Sequence, residues 1–229
     1  EPLSPGALRV LWLGQSGFLI RWGDRRVLLD PYLSDSLTRK YAQTDKPHVR
    51  MTERVIAPER LRRIDVVTSS HNHTDHLDAE TLLPLVQSNP NMQFVIPEAN
   101  RRFVAERLGT AAAWPVGLND GTRATVEGIE FEGIAAAHNT LDRDAAGNHL
   151  YLGYIVRLGE WNVYHPGDTL LYPGFADRLR AAGQIDLALL PINGNKPERR
   201  VAGNLNGHEA AQLAMEIGAG LVVPCHFEM

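Results

Sequence analysis

The sequence predicts an α/β chain folded as a four-layer αββα sandwich. Three observations carry this expectation. β-rich runs alternate with helical stretches, the order repeats a similar theme in two halves, and the chain has the apolar content for a large core. At 229 residues, 44% of them hydrophobic, it is of a size at which α/β chains often form one domain. One domain over residues 1–229 is therefore expected, with two sheets, outer helices and a cleft along the edge where both sheets present their strand-end loops.

The elements follow in order. Residues 9–13, 18–22 and 27–30 read as short strands separated by the turns Gly14-Gln15-Ser16-Gly17 and Gly23-Asp24. Residues 64–69 form a continuous apolar run, a strand buried on both faces. Asp78 then caps a helix over 79–87, with Leu82, Leu83 and Val86 as its inward stripe. A strand over 93–97 and a helix over 99–108 complete the first half. In the second half, 122–126, 129–136, 152–158 and 162–165 read as strands. They are followed by helix 175–182, strand 185–191, helix 209–217 and strand 221–225.

Two stretches resist regular assignment. Residues 32–58 are long and charged, carrying Arg39, Lys40, Tyr41, Lys46, His48 and Arg50. Loops of this length in compact domains are usually functional or mobile, so the stretch reads as a wall or lid for an anionic substrate or as a solvated excursion. Residues 193–206 form a Gly/Asn-rich loop with Lys196, Arg199 and Arg200. Backbone amides and cations in such a loop suit a phosphate.

Composition excludes several classes. A net charge of −4 gives no electrostatic footprint for nucleic acid. No run approaches the roughly 20 apolar residues that cross a bilayer, and Glu1-Pro2-Leu3-Ser4-Pro5 does not resemble a signal peptide. Cys225 is the single cysteine. That leaves no internal disulfide and fits a reducing, cytoplasmic setting. Strand alternation turns Cys225 away from its neighbour His226, as a small core residue. The chain stops at Met229, close behind His226, and the native protein is expected to continue.

The chemistry is concentrated in His71-Asn72-His73-Thr74-Asp75-His76, directly after the strand at 64–69. Three imidazoles and a carboxylate in six residues are too dense for a polar surface loop. His71 and His73 can share one metal ion, while Asp75 and His76 turn toward a second. Neutral imidazole and carboxylate suit zinc, and manganese or iron where oxygen donors are added. His138, Asp168 and His226 each follow a further β-rich run, where a sheet edge delivers residues into a cleft. Any one alone reads as structural; together they complete a pattern. Asp30, before Pro31, reads as an orienting carboxylate or as a strand-end turn residue. Of the other histidines, His165 reads equally as a site neighbour or a buried strand residue. His208 opens a helix on the rim that Asn193 shares, and His48 and His149 have no evident partner.

These motifs, in this order and spacing, resemble the metallo-β-lactamase superfamily over nearly the whole chain. The resemblance implies the metallo-β-lactamase fold and a cofactor of two divalent metal ions, Zn²⁺ or Mn²⁺, with iron as a further option. It implies His71, His73 and His138 at metal one, Asp75, His76 and His226 at metal two, and Asp168 bridging them, with Asp75, His76 and Asp168 as the catalytic group. Asp30 matches the family's early, ligand-orienting Asp. The segments His165-Pro166-Gly167-Asp168-Thr169, Pro191-Ile192-Asn193-Gly194, Gly203-Asn204-Leu205-Asn206 and Val223-Pro224-Cys225-His226 resemble the L-ascorbate-6-phosphate lactonase-like branch. Other branches differ. Common β-lactamases carry Cys where Asp168 stands, diiron oxygen-reducing relatives carry Glu in place of His73, transfer-RNA processing relatives carry a basic arm, and glyoxalase-type thioesterases add a helical domain.

The resemblance thus implies a hydrolase in which a hydroxide between two metal ions attacks its substrate, most simply a small anionic, phosphorylated sugar-acid lactone. Asn193, Lys196, Arg199 and His208 are the expected substrate contacts. A phosphodiesterase using the same site is the alternative, and a non-catalytic metal-binding protein a remote one. The expected partner is a small molecule, without nucleic acid or membrane, and self-association into a homo-oligomer stays open.

Overall fold

The computed structural model describes residues 3–196, 198 and 203–228. They fall into two compact units, one reaching to Ile96 and taking in Asn100–Val116 and Glu228, the other Pro97–Ala99 and Gly117–Phe227.

In the first, strands β1 (Leu8–Gly14), β2 (Gly17–Trp22), β3 (Arg25–Leu29), β4 (Val66–Thr68), β5 (Gln93–Pro97) and β6 (Val116–Leu118) lie in sequence order in one sheet. β1, β2 and β3 pair antiparallel through tight turns, and β3–β4 and β4–β5 pair parallel. Gly23, at φ 53°, supplies the left-handed residue that the β2–β3 turn requires. Helix α2 (Ala79–Ser88) makes the crossover from β4 to β5. Helix α3 (Arg101–Leu108) follows β5 and stops at Gly109, φ 63°. Leu28, Val67, Phe94 and Ile96 pack with Leu82, Leu85, Val104 and Leu108 in one core. The alternate strand residues Val27, Leu29, Val66 and Val95 are buried too, which fits the continuous apolar reading of 64–69.

Several expectations need correction here. β4 is only three residues long; just before it Asp65 still donates its N–H to the Arg26 carbonyl at 3.0 Å and accepts the Gln93 N–H at 2.9 Å, while its carboxylate accepts the Arg26 N–H at 2.8 Å and pairs with Arg25 at 3.0 Å. Ile64 donates its N–H to Asn89 Oδ1. The inward stripe of α2 is Thr81, Leu82 and Leu85, while Leu83 is exposed and Val86 packs only partly. The face is set one residue early because the Thr81 hydroxyl donates to Asp78 Oδ2 and accepts the Leu33 N–H. The 99–108 helix begins as a 3-10 turn, Glu98–Asn100. The stretch 32–58 contains a helix, α1 (Ser36–Tyr41), with Leu37 its one buried residue; one buried residue leaves no periodic stripe to read. β6, with glycine at its centre, carries no strand pattern either.

In the second unit, β7 (Arg123–Val126), β8 (Ile129–Ala135), β9 (Leu152–Leu158) and β10 (Trp161–His165) form an antiparallel meander, which β11 (Leu187–Pro191) and β12 (Leu221–Cys225) extend in parallel. Glu127 and Gly128 both have positive φ, 52° and 78°, the backbone of a two-residue hairpin. Helices α4 (Phe175–Ala181) and α5 (Gly207–Glu216) make the parallel crossovers. Tyr164, Ala188 and Leu190 pack with Phe175, Leu179, Leu213 and Ala214. In each unit an antiparallel hairpin series leads into parallel strands, the two-part repetition expected from the sequence. In open α/β sheets, ligands gather outside the carboxyl ends of such strands.

Candidate metal centre

In the first unit the carboxyl end of β4 runs into the loop holding His71, His73, Asp75 and His76. A turn closes the loop, with Leu77 donating its N–H to the His73 carbonyl at 2.8 Å. The rings of His71 and His73 lie edge to face with centroids 4.6 Å apart, and those of His71 and His76 are 4.2 Å apart. Arg107 of α3 holds the loop from behind, donating to the Leu77 carbonyl at 2.9 Å and to that of Asn72 at 3.3 Å. Its guanidinium also lies over Phe103.

Asp30 organises the imidazoles. It is fully buried at the end of β3, with φ 39°, a left-handed conformation that Asp tolerates better than most residues. Oδ1 accepts from the Thr68 hydroxyl and the Ser70 N–H, both at 3.0 Å. Oδ2 accepts from the Ser70 hydroxyl and from His76 Nδ1, the latter at 2.7 Å. With its proton on Nδ1, His76 carries its lone pair on Nε2, 3.6 Å from Asp75 Oδ2. Such an acceptor behind an imidazole fixes its tautomer and ring plane for metal binding.

The second unit holds three more of the expected residues together. His138 lies just beyond β8, Asp168 beyond the Pro166-Gly167 turn that follows β10, and His226 beyond β12. Asp168 Oδ2 is 3.4 Å from His138 Nε2, and Oδ1 is 3.0 Å from His226 Nε2. One carboxylate thus offers a separate oxygen to each imidazole. His138 Nδ1 donates to the Gly203 carbonyl at 3.2 Å, which leaves its Nε2 lone pair facing the carboxylate. His226 has a positive φ of 57°.

This geometry fits a metal. A lone pair facing a carboxylate oxygen repels it unless a cation or a proton lies between them. Each unit has an imidazole whose Nδ1 is committed to an acceptor and whose Nε2 faces an aspartate. The donors, imidazole nitrogen and carboxylate oxygen, are those of zinc and of harder divalent ions.

The expected substrate contacts are less concentrated. Asn193 forms a bridge with Asn206, and Lys196 and His208 are exposed. Arg199 and Arg200 lie outside the described residues. His208 stands inside the first turn of α5, not before it, because the helix starts at Gly207 under an Asn206/Glu209 capping box. Two of the cations of 32–58 have carboxylate partners, while Lys40 and Lys46 are exposed. Arg50 is buried against Glu228 at 3.3 Å and over the Tyr32 ring, and Arg39 pairs with Glu80. The exposed large side chains of that stretch include Val49, Met51 and Val55.

His48 stacks on Tyr41, and the His149 ring meets Asn119 Oδ1 at 3.1 Å. Burial, then the charge of Arg143, pushes the His149 pKa down. His165 is buried in β10, and Cys225 is buried as expected.

Several neighbours of the ligand residues escaped the sequence reading. Gln15 donates from Nε2 to Asp75 Oδ2 at 3.1 Å. Ser70 touches Asp30 and both His71 and His76. Tyr151 meets the His138 ring edge to face at 5.3 Å, and burial, then Asp142 and Asp168, raises its pKa. One local signal could have found two of them: Gln15 and Ser70 sit in the strand-end turns that follow β1 and β4.

The chain resembles proteins of known name along almost all its length. It is 28% identical over 222 residues to a UPF0173 metal-dependent hydrolase from Pyrococcus horikoshii, covering 96% of this chain and 84% of that protein. Among solved structures, an isothiocyanate hydrolase from Delia radicum gut bacteria superposes with a TM-score of 0.71 at 18% identity, covering 96% of this chain and 84% of the other. The metallo-beta-lactamase fold protein YhfI from Bacillus subtilis superposes with a TM-score of 0.64 at 19% identity, covering 93% and 78%. These likenesses show the metallo-β-lactamase fold, as expected from the sequence. The family model described as a beta-lactamase superfamily domain matches residues 25–227, and the chain belongs to that superfamily.

Proposed function

We propose that this chain is a metal-dependent hydrolase whose two half-sites together hold two divalent ions. His71, His73 and His138 serve one ion and Asp75, His76 and His226 the other, with Asp168 shared. The observation that carries this reading is the matched pair of fixed imidazoles: His76 anchored on Asp30 and His138 on the Gly203 carbonyl, each turning Nε2 toward an aspartate. The names of the matched relatives support it, since the Pyrococcus horikoshii protein is a metal-dependent hydrolase.

Bound divalent ions would supply Lewis acidity and bring the pKa of a water down toward neutrality. The chain's own residues do the rest. Asp30, Ser70 and the Gly203 carbonyl fix the ligand tautomers before any substrate arrives. Asp75, whose side chain is 14% exposed beside a fully buried His76, is the carboxylate of the first half-site that meets both solvent and substrate. Its Oδ1, the oxygen to which Gln15 does not donate, takes the proton of the attacking water and returns it to the leaving oxygen.

The substrate reading that follows is a lactone, whose ring opening keeps the leaving alkoxide tethered beside Asp75. A phosphorylated sugar-acid lactone rests on Lys196, Arg199 and Arg200, since Arg39 and Arg50 are engaged elsewhere. The test is protein purified without chelator, analysed for bound metal, and assayed on a lactone panel beside bis(p-nitrophenyl) phosphate. Acid release from lactones that stops on chelation is the expected result. Turnover confined to the phosphodiester would replace the lactonase reading with a phosphodiesterase. Metal-free protein of equal activity would end the proposal.

A further inference from the structure

We infer that Gln15 is a positioning residue for Asp75, and that Glu228 sets Gln15. The inference rests on the metal reading above and adds two residues that no ligand motif contains.

The contacts form a chain within the first unit. Glu228 is 1% exposed. Its Oε2 accepts the Gln15 N–H at 2.8 Å and faces Arg50 Nη1 at 3.3 Å, while Oε1 accepts from the Thr52 hydroxyl. The Glu228 carbonyl accepts the Met51 N–H at 2.9 Å. Gln15 then reaches from the β1–β2 turn to donate to Asp75 Oδ2 at 3.1 Å, the same oxygen that faces His76 Nε2.

The backbone confirms that the turn is built for this contact. Gln15 has φ 49°, a conformation that costs a long side chain of order 1 kcal/mol or more and that persists where surroundings impose it. Gly14, at φ 101°, leaves room for the carboxylate: a Cβ there would lie 2.5 Å from Glu228 Oε2. A buried anion therefore holds a strained turn from below, and the turn delivers a neutral amide to the ligand carboxylate.

A neutral donor is the chemically useful choice. It occupies one lone pair of Oδ2 and fixes the carboxylate plane, yet leaves the negative charge intact. A lysine or arginine there would neutralise that charge, and a carboxylate would repel it. Without the amide, Asp75 would be free to rotate, and any ion bound through it would lose a preset ligand. Partners of this kind are worth about 10–100-fold in metal affinity.

The experiment is a Zn²⁺ titration of chelator-stripped protein against a competing chromophoric chelator, on the wild type, Gln15→Met and Gln15→Glu, with Co²⁺ absorption spectra in parallel. Gln15→Met keeps the side-chain length and loses the N–H. The expected result is a 10–100-fold weaker second equivalent, an altered Co²⁺ spectrum, and kcat reduced with KM little changed. Gln15→Glu should weaken that equivalent at least as much and serves as the readout should Gln15→Met not fold. Glu228→Gln should act in the same direction, because the anion under the turn is lost. Unchanged affinities and spectra in the folded Gln15 variants would overturn the positioning role while leaving the metal reading intact. A wild type that binds no Zn²⁺ would end both, and the two failures are told apart by that control.

Discussion

His76 Nδ1 lies 2.7 Å from Asp30 Oδ2, and both side chains are fully buried. This contact links the end of β3 to the ligand loop after β4 and decides which nitrogen of His76 keeps a lone pair. The Ser70 hydroxyl and N–H, with the Thr68 hydroxyl, complete the shell around the carboxylate.

Asp30→Asn should therefore act on metal binding more than on folding. Thr68 and the Ser70 N–H claim the oxygen on one side, so the new amide nitrogen faces His76. A donor there drives the imidazole proton to Nε2 and removes the ligand lone pair. Metal affinity should fall about 10–100-fold, measured by chelator competition. Asp30→Ala should also lower the melting temperature of metal-free protein, because each stranded buried donor costs about 1–3 kcal/mol. An Asp30→Asn protein with wild-type affinity would remove Asp30 from the tautomer argument.

Asp168→Ala should reduce both metal content and turnover. Asp168 presents one oxygen to His138 and the other to His226, and it is the anion that would hold two cations together against their repulsion. Atomic emission on protein purified without chelator gives the count. A variant that retains two ions per chain and full activity would refute the shared-ligand assignment.

Lys196→Ala and Arg199→Ala address the anionic part of the substrate reading. A charge-assisted contact is worth about 1.5–3 kcal/mol net, roughly one to two decades in affinity. The loss should appear in kcat/KM for a phosphorylated lactone and be nearly absent for the unphosphorylated ring. Equal losses on both would leave this loop with a shaping role only.

Glu132 predicts an acid-sensitive second unit. It is 3% exposed, with Arg157 at 2.8 Å, Arg123 at 2.9 Å and Arg178 at 3.0 Å. Burial pushes its pKa up, but hydrogen bonds from Arg157 and Arg178, with the charges of Arg123 and Arg157, outweigh burial and hold it below its ordinary value. A carboxylate depressed on folding stabilises fully above its unfolded pKa of about 4.3, and that stabilisation fades as pH falls through the folded value. Glu132→Gln should thus cost about 3 kcal/mol at pH 7, the lower end for breaking a buried pair because the arginines keep part of their surface in water. The gap should narrow below about pH 4. Urea midpoints at pH 7, 5 and 3.5 measure it, and a gap independent of pH would assign the loss to packing.

The sequence by itself determined the α/β class, the order of most strands, and the residues rich in ligand chemistry. The physical reason is local. Strand alternation, buried apolar runs and turn residues act over a few neighbours, and His71-Asn72-His73-Thr74-Asp75-His76 is dense enough to read without a partner. Tertiary structure alone decided what depends on meetings distant in sequence. The face of α2 turned on Leu33 and Asp78 contacting Thr81, and the Asp65 carboxylate found its partners in Arg25 and Arg26, about 40 positions away. Which nitrogen of His76 is left to bind depends on Asp30, 46 positions away, and the orientation of Asp75 on Gln15, 60 away. Glu228 meets the Gln15 N–H across 213 positions. No periodicity encodes such contacts, because a hydrogen bond is set by where two chain segments meet in space, and that meeting exists only once the sheet has folded.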